Sequence, residues 1–167
     1  PLYTRTGDPE ILRAQIAASR SARRYIWIQQ PYVSDDAAIA ALVQARQRGV
    51  DVRVILPTHG DSGFMNSANL LAASVFVSNG IRVYAHPGMT HVKAGNCDGW
   101  TIVGSANFDK LSLRINQETD LATCDPRFVD LLKRDLFERD FAKSRELKQP
   151  PTVGWGEYIA EFIADQL

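Results

Sequence analysis

His91-Val-Lys-Ala-Gly-Asn-Cys-Asp-Gly-Trp-Thr-Ile-Val-Gly-Ser-Ala-Asn107 reads as two short strands joined by a tight turn, and the rest of the chain can be built outward from it. Val92 and Ala94 interleave with His91 and Lys93. In an extended strand the polar pair then shares one face and smaller apolar residues pack behind it. Asp98-Gly99 fits a hairpin turn. The run Trp100 to Val103 returns beside the first strand and delivers Gly104-Ser-Ala-Asn107 to the same end of the sheet, where Gly104 permits close backbone approach to a phosphate. A histidine can attack phosphorus or protonate a leaving oxygen near neutral pH. A lysine two residues along points the same way and can neutralise a phosphate oxygen, while hydroxyl and amide groups hold the remaining oxygens. The stretch therefore supplies what metal-free phosphodiester chemistry needs. The plainer reading, a satisfied core histidine and an ordinary turn, would suit a lone His91 but leaves the co-occurrence of His91, Lys93, Asp98, Gly104, Ser105 and Asn107 unexplained.

Outward from this hairpin, helices and strands alternate. Asp8-Pro9-Glu10 fits a helix start with Pro9 at the first helical position, followed by Ile11, Leu12 and Ile16 at helical spacing. Tyr25 to Ile28 reads as a strand. Ser34-Asp35-Asp36 caps a helix with the stripe Ile39, Leu42 and Val43, which Gly49 stops, and Val50 to Leu56 is another strand. This is a βαβ unit. A polar loop from Pro57 to Ser67 leads to a helix through Leu70, Leu71 and Val75 that ends near Gly80, then to a short strand Ile81 to Tyr84 before the hairpin. Glu118 to Thr123 is a further strand. Asp125-Pro126 begins a helix with Phe128, Leu131, Leu132 and Phe137 on its inner side. The expectation is an α/β fold with a mixed sheet. Residues 1–148 form the catalytic domain, and 149–167 hold a linker at Gln149-Pro150-Pro151 and an amphipathic helix from Tyr158 to Leu167.

Composition fits one soluble domain: 167 residues, 45% hydrophobic and 23% charged. No apolar run approaches the roughly 20 residues that span a bilayer. The opening residues show no secretory leader, and the chain begins with Pro1, as a processed product or a piece of a longer protein does. Nineteen basic residues balance nineteen acidic ones, which speaks against a nucleic-acid partner. The clusters Arg20, Arg23, Arg24 and Arg46, Arg48 read as solvated helix ends. Cys97 and Cys124 lack CxxC spacing, so neither a disulfide framework nor a zinc site is expected, and Cys97 reads as a small core residue. No carboxylate or His/Cys cluster has metal-ligand spacing; turnover without cofactor or metal is the expectation.

The order of residues resembles the HxKx4Dx6GSxN signature of the phospholipase D superfamily. The likeness extends to Gln30-Pro-Tyr-Val33, Ala45 to Val52, Gly104 to Asp109 and Leu111 to Glu118, and over residues 10–145 the chain looks like the C-terminal half of bacterial phospholipase D-type transphosphatidylases, cardiolipin synthases in particular. The resemblance implies a phospholipase D-like α/β/α sandwich, one of two pseudo-twofold halves, with one histidine from each half meeting on a single phosphate. Only one such motif is present here. The site is then completed either by an N-terminal half of the same polypeptide or by a second copy in a homodimer, as in the small homodimeric phosphodiesterase and endonuclease members of the superfamily. The implied substrate is a phospholipid, with peripheral contact to the membrane and a place in the cytoplasm or at the bacterial inner membrane.

The implied mechanism is a two-step displacement through a phosphohistidine, the second histidine acting as acid and then base. With a preceding N-terminal half, His91 is the acid/base member; in a homodimer either copy serves either role. Lys93 and Asn107 are candidates for the non-bridging phosphate oxygens, and Ser105 either joins them or ties the turn together. Asp98 holds the turn by hydrogen bonding. Glu118 fits a family position for a carboxylate that orients a catalytic histidine, or is an exposed strand carboxylate. His59, in the loop Thr58-His-Gly-Asp-Ser-Gly63, either contacts substrate or is a solvent-exposed loop residue. His86, before Pro87, reads as structural. Pro31-Tyr32 serves a strand end or the substrate. Phe64-Met65 and Trp155 to Ile163 either face lipid or a partner, or belong to the core. A non-catalytic half that docks on a partner or membrane is the remaining reading, against which the intact motif argues.

Overall fold

The computed structural model of the chain describes residues 1–58 and 63–152, except for the side chains of residues 63–66. His59, the side chains of Phe64 and Met65, and the expected C-terminal helix lie outside the described residues. Two small strands, β1 (Leu2–Arg5) and β2 (Asp8–Pro9), lead into α1 (Glu10–Ser21), followed by β3 (Tyr25–Gln29), α2 (Asp36–Gln47), β4 (Asp51–Pro57), α3 (Gly63–Ser78) and β5 (Arg82–His86). The second half comprises β6 (Ala94–Cys97), β7 (Trp100–Gly104), α4 (Lys110–Arg114), β8 (Glu118–Thr123), α5 (Pro126–Leu132), a π-helical turn (Lys133–Glu138), α6 (Arg139–Lys143) and β9 (Arg145–Glu146).

Among the described residues the strands form one nine-stranded sheet in the order β2-β1-β8-β7-β6-β3-β4-β5-β9. β3, β4 and β5 run parallel, and the other neighbours are antiparallel. Parallel neighbours need a crossover, and α2 and α3 supply the two. α2 starts where Asp35 accepts a hydrogen bond from the Ala38 N–H (3.0 Å) and stops before Gly49 at φ 92°.

Helices cover both faces, giving the α/β/α sandwich. On one face Ile11 and Leu12 of α1, Leu42 and Ala45 of α2, Phe76 of α3 and Leu113 of α4 pack against Ile26, Ile28, Val52, Val54, Val83 and Ile102 of the sheet. On the other, Phe137 with half-buried Leu132, Leu136 and Phe141 covers Trp27, Ile55, Tyr84 and Ala94. The alternation Ile26/Ile28 against Tyr25/Trp27 along β3 sends successive side chains to opposite cores, as strand geometry requires.

Several expectations need correction. Asp8 does not cap α1: it pairs with Arg5 across β1–β2 and with Arg13 in an ion pair of 2.7 Å, and the helix begins at Glu10 with Pro9 in the cap position. The loop after β4 is shorter than expected, because α3 already begins at Gly63. The helix after Asp125 does not keep one 3.6-residue stripe. Its π-helical turn, with more residues per turn, changes the register between buried Val129 and buried Phe137, and Leu131, before that turn, is 44% exposed.

Candidate functional site

Four strand ends meet at one end of the sheet. β3 closes at Gln29 opposite Ala94, where β6 begins; Ala94 lies opposite Val103 of β7, and Gly104 opposite Asp120 of β8. The strand of the motif starts at Ala94, so His91 and Lys93 stand on the segment leading into it, not within it as expected. The ladder still reaches Lys93, whose carbonyl accepts from the Gly104 N–H at 3.2 Å. This bond sets the Gly104-Ser-Ala-Asn107 loop beside the His91–Lys93 segment.

The interval between Asp98 and Gly104 is five residues, one fewer than in the signature. The turn itself is tight: Asp98 at φ 42° and Gly99 at φ 91° close the hairpin with Cys97 paired to Trp100. At this turn Asp98 performs a structural job. Its carboxylate accepts from the backbone N–H groups of Arg23 (2.6 Å), Arg24 (3.0 Å) and Tyr25 (2.9 Å), tying the hairpin to the α1–β3 connection. Burial opposes ionisation there, but the three amides outweigh it and hold the Asp98 carboxyl below the usual carboxylate range.

At the open end, exposed His91 faces Lys93, whose Nζ is 3.1 Å from each ring nitrogen and 3.3 Å from the His91 carbonyl. A point equidistant from both nitrogens lies along neither lone pair. The cation therefore sits against the ring without occupying the atom that would attack phosphorus or carry a proton. Burial pushes the Lys93 ammonium below the ordinary lysine range, with Glu118, Asp109 and Asp120 opposing that shift. Burial likewise raises the Asp109 and Asp120 carboxyls, and the charge of Glu118 adds to both shifts.

Each of these carboxylates has its own local duty. Asp109 caps α4 by accepting from the Ser112 N–H (2.7 Å) and is also hydrogen-bonded by the Asn107 side chain, whose buried Oδ1 has no partner among the described residues. Asp120 accepts from the Ala106 N–H (3.1 Å) beneath the loop. Glu118 accepts a hydrogen bond from the Ser105 hydroxyl at 2.5 Å, and Ser105 accepts from the Thr119 N–H at 3.1 Å. Ser105 thus ties its loop to β8, and Glu118 lies beside Ser105 and Lys93. Gly104 has a reason other than a phosphate: a Cβ on it would fall 2.5 Å from the Asp120 Cα and closer still to its carboxylate.

The loop around Pro31-Tyr32 is anchored by Asn69, which donates to the Pro31 carbonyl (2.7 Å) and accepts from the Val33 N–H (3.0 Å). It is joined to the motif loop where the Phe108 carbonyl accepts from the N–H groups of Ser34 and Asp35. Asp35 is also bound by Arg114 at 2.6 Å. Sequence reasoning did not single out Asp109, Asp120, Gln29 or Thr90. Asp109 before Lys-Leu-Ser-Leu carries a capping signal; the others have no local one. Among the described residues no group of three or more His, Cys, Asp or Glu is arranged to hold a metal ion, and no helix is long and apolar enough to cross a membrane. Cys97 is buried and its thiol is pushed up to about 12, in keeping with a core residue.

The class of fold is shared with solved structures. A phospholipase D family member from Salmonella typhimurium superposes with a TM-score of 0.78 at 20% identity, over 88% of this chain and 97% of that one. A phosphatidylserine synthase from Haemophilus influenzae superposes with a TM-score of 0.70 at 13% identity, over 99% of this chain and 44% of that one. In sequence, residues 15–141 match the family described as "Cardiolipin synthase, PLD-like domain", and the chain belongs to that family. Cardiolipin synthase A of Pseudomonas putida is 39% identical over 135 residues, which are 79% of this chain. The match spans only 28% of that relative's length.

Proposed function

We propose that the chain supplies one half of a site for phosphatidyl transfer or phospholipid cleavage, with His91 as its reacting group. The reading is carried by the His91–Lys93 pair at the open end of the sheet, beside the Ser105–Asn107 loop, in a member of the cardiolipin synthase-type family. Lys93 and Asn107 would hold non-bridging phosphate oxygens, and a second motif from another half would supply the opposing histidine. One histidine nitrogen bonds to phosphorus as the P–O bond to the first alcohol breaks, and the other histidine protonates that alkoxide. The same group then removes the proton of an acceptor alcohol or water, whose oxygen displaces histidine from phosphorus. His91 takes the acid/base role when the second half precedes this one.

A second reading, in which two copies pair to make a phosphodiesterase, is favoured by one observation: the fold match covers 97% of the Salmonella chain. Hydrolysis of a chromogenic phosphodiester as a function of protein concentration, with His91→Ala as control and with and without EDTA, separates the two. A His91-dependent specific rate that rises to a plateau means two copies assemble one site. A rate that appears only on adding the separately expressed N-terminal half of a cardiolipin synthase supports the first reading. A folded His91→Ala protein with near-normal turnover refutes both.

A further inference from the structure

We propose that Asp140, Gln29 and Thr90 form a buried positioning relay that fixes the segment carrying His91, and so act in turnover through His91. The inference rests on the role of His91 proposed above.

Between β5, which ends at His86, and β6, which begins at Ala94, the chain crosses the open end of the sheet without a ladder of its own. Thr90 is its buried residue next to the exposed His91. Its Oγ1 accepts from Gln29 Nε2 at 3.1 Å, and the same Nε2 donates to Asp140 Oδ2 at 3.0 Å. Gln29, at the end of β3, is fully buried, and Asp140 is 4% exposed. Asp140 is itself fixed by Arg139 Nε, which donates to Oδ1 at 2.9 Å, and His86 Nε2 approaches Oδ2 to 4.0 Å. Its carboxyl lies below the usual range: burial opposes this, but the bonds from Gln29 and Arg139 and the charges of Arg139 and His86 prevail.

The chemistry of these groups sets a direction. An ionised carboxylate only accepts, so Asp140 forces the amide nitrogen of Gln29 towards itself and towards Thr90. A flipped amide would set two acceptors against each other. The arrangement leaves Gln29 Oε1 and His86 Nδ1 buried without partners among the described residues, a cost that an apolar side chain at position 29 would avoid for the amide. What the polar version adds is a hydrogen-bonded tether, one residue from the His91 ring, on the far side of the ring from the single ladder bond at Lys93. Placement errors of about 1 Å at a reacting group cost up to about 10²-fold in rate, so such a tether has leverage.

The test uses the full chain, whose three histidines can each be assigned in imidazole NMR spectra with His59→Gln, His86→Gln and His91→Gln. Thr90→Val keeps the volume and removes the acceptor; Thr90→Ser keeps the acceptor; Gln29→Met removes the donor independently. The relay predicts that Thr90→Val and Gln29→Met shift the His91 imidazole resonances and its titration midpoint, and that Thr90→Ser restores both. In the assembled enzyme Thr90→Val should lower kcat about tenfold with little change in KM, again with recovery in Thr90→Ser. Folded Thr90→Val and Gln29→Met proteins whose His91 titration and kcat superimpose on those of the unsubstituted chain would overturn the relay. Equal shifts in Thr90→Ser would do the same. If His91→Ala itself leaves turnover intact, the functional reading fails, while the NMR comparison still decides whether the relay positions His91.

Discussion

Replacing Gly104 by alanine tests the site where sterics and chemistry meet. The added methyl would lie 2.5 Å from the Asp120 Cα and nearer still to the carboxylate, so rotation of the Asp120 side chain alone cannot relieve it and β7 and β8 must separate. Overpacking of this kind costs about 1–3 kcal/mol. Displacing Asp120 also removes the acceptor of the buried Ala106 N–H, worth about 1–3 kcal/mol when left unpaired. A total of about 3 kcal/mol corresponds to a fall in Tm of about 6–12 °C for a domain of this size. Urea unfolding of Gly104→Ala should show a lower midpoint at unchanged slope. Gly95→Ala is the control: its methyl would meet only the Cγ2 of buried Ile102, at 3.1 Å, and no backbone atom, so a far smaller adjustment suffices and its cost should be smaller. A Gly104→Ala protein as stable as the parent would refute the steric account and return Gly104 to a role in phosphate approach.

Two further predictions follow from the carboxylates. Asp98→Asn should lose about 1–3 kcal/mol at pH 7, because the amide replaces a charged acceptor of three backbone N–H groups. The folded carboxyl lies below its unfolded value, so its stabilisation is full above the unfolded pKa of about 3.9 and is lost as pH falls through the folded one. Urea midpoints should accordingly converge between parent and variant as the pH is lowered below about 4; a constant gap would contradict this. Glu118→Gln tests whether that carboxylate acts on His91 or on its neighbours. With Glu118 bound to Ser105, the His91 tautomer read by NMR should persist while the resonances of the Ser105–Asn107 loop shift; a changed tautomer would restore the histidine-orienting role.

The elements that could be read from the sequence are those whose information is local. Tyr25–Gln29 and Glu118–Thr123 are bounded by turn residues and differ from the expected strands by at most one residue, and Asp98-Gly99 announces its own turn. β1 and β2 escaped because the only signal read there was Asp8-Pro9-Glu10 as a helix start. β1 takes its strand character from pairing with β8, more than a hundred residues away, and β2 takes its own from pairing with β1. The π-helical turn escaped because it breaks the periodicity on which the reading of an inner face depends.

The site divides in the same way. His91, Lys93, Ser105 and Asn107 are neighbours along the chain, so their spacing alone nominates them as candidates. What fixes them in space is remote: Asp98 on the amides of Arg23 to Tyr25, Asp120 under Ala106, and Asp140 reaching Thr90 through a glutamine 111 residues away. Reacting groups need only be close to one another, and a hairpin achieves that within seventeen residues. Holding them to within tenths of an ångström requires anchoring to rigid elements on both faces of the sheet, which the chain reaches only by returning from elsewhere. Gly104 carries both kinds of information. Its place in the signature suggests approach to a phosphate, and a Cβ there would also meet Asp120, sixteen residues on, a demand that no local spacing announces.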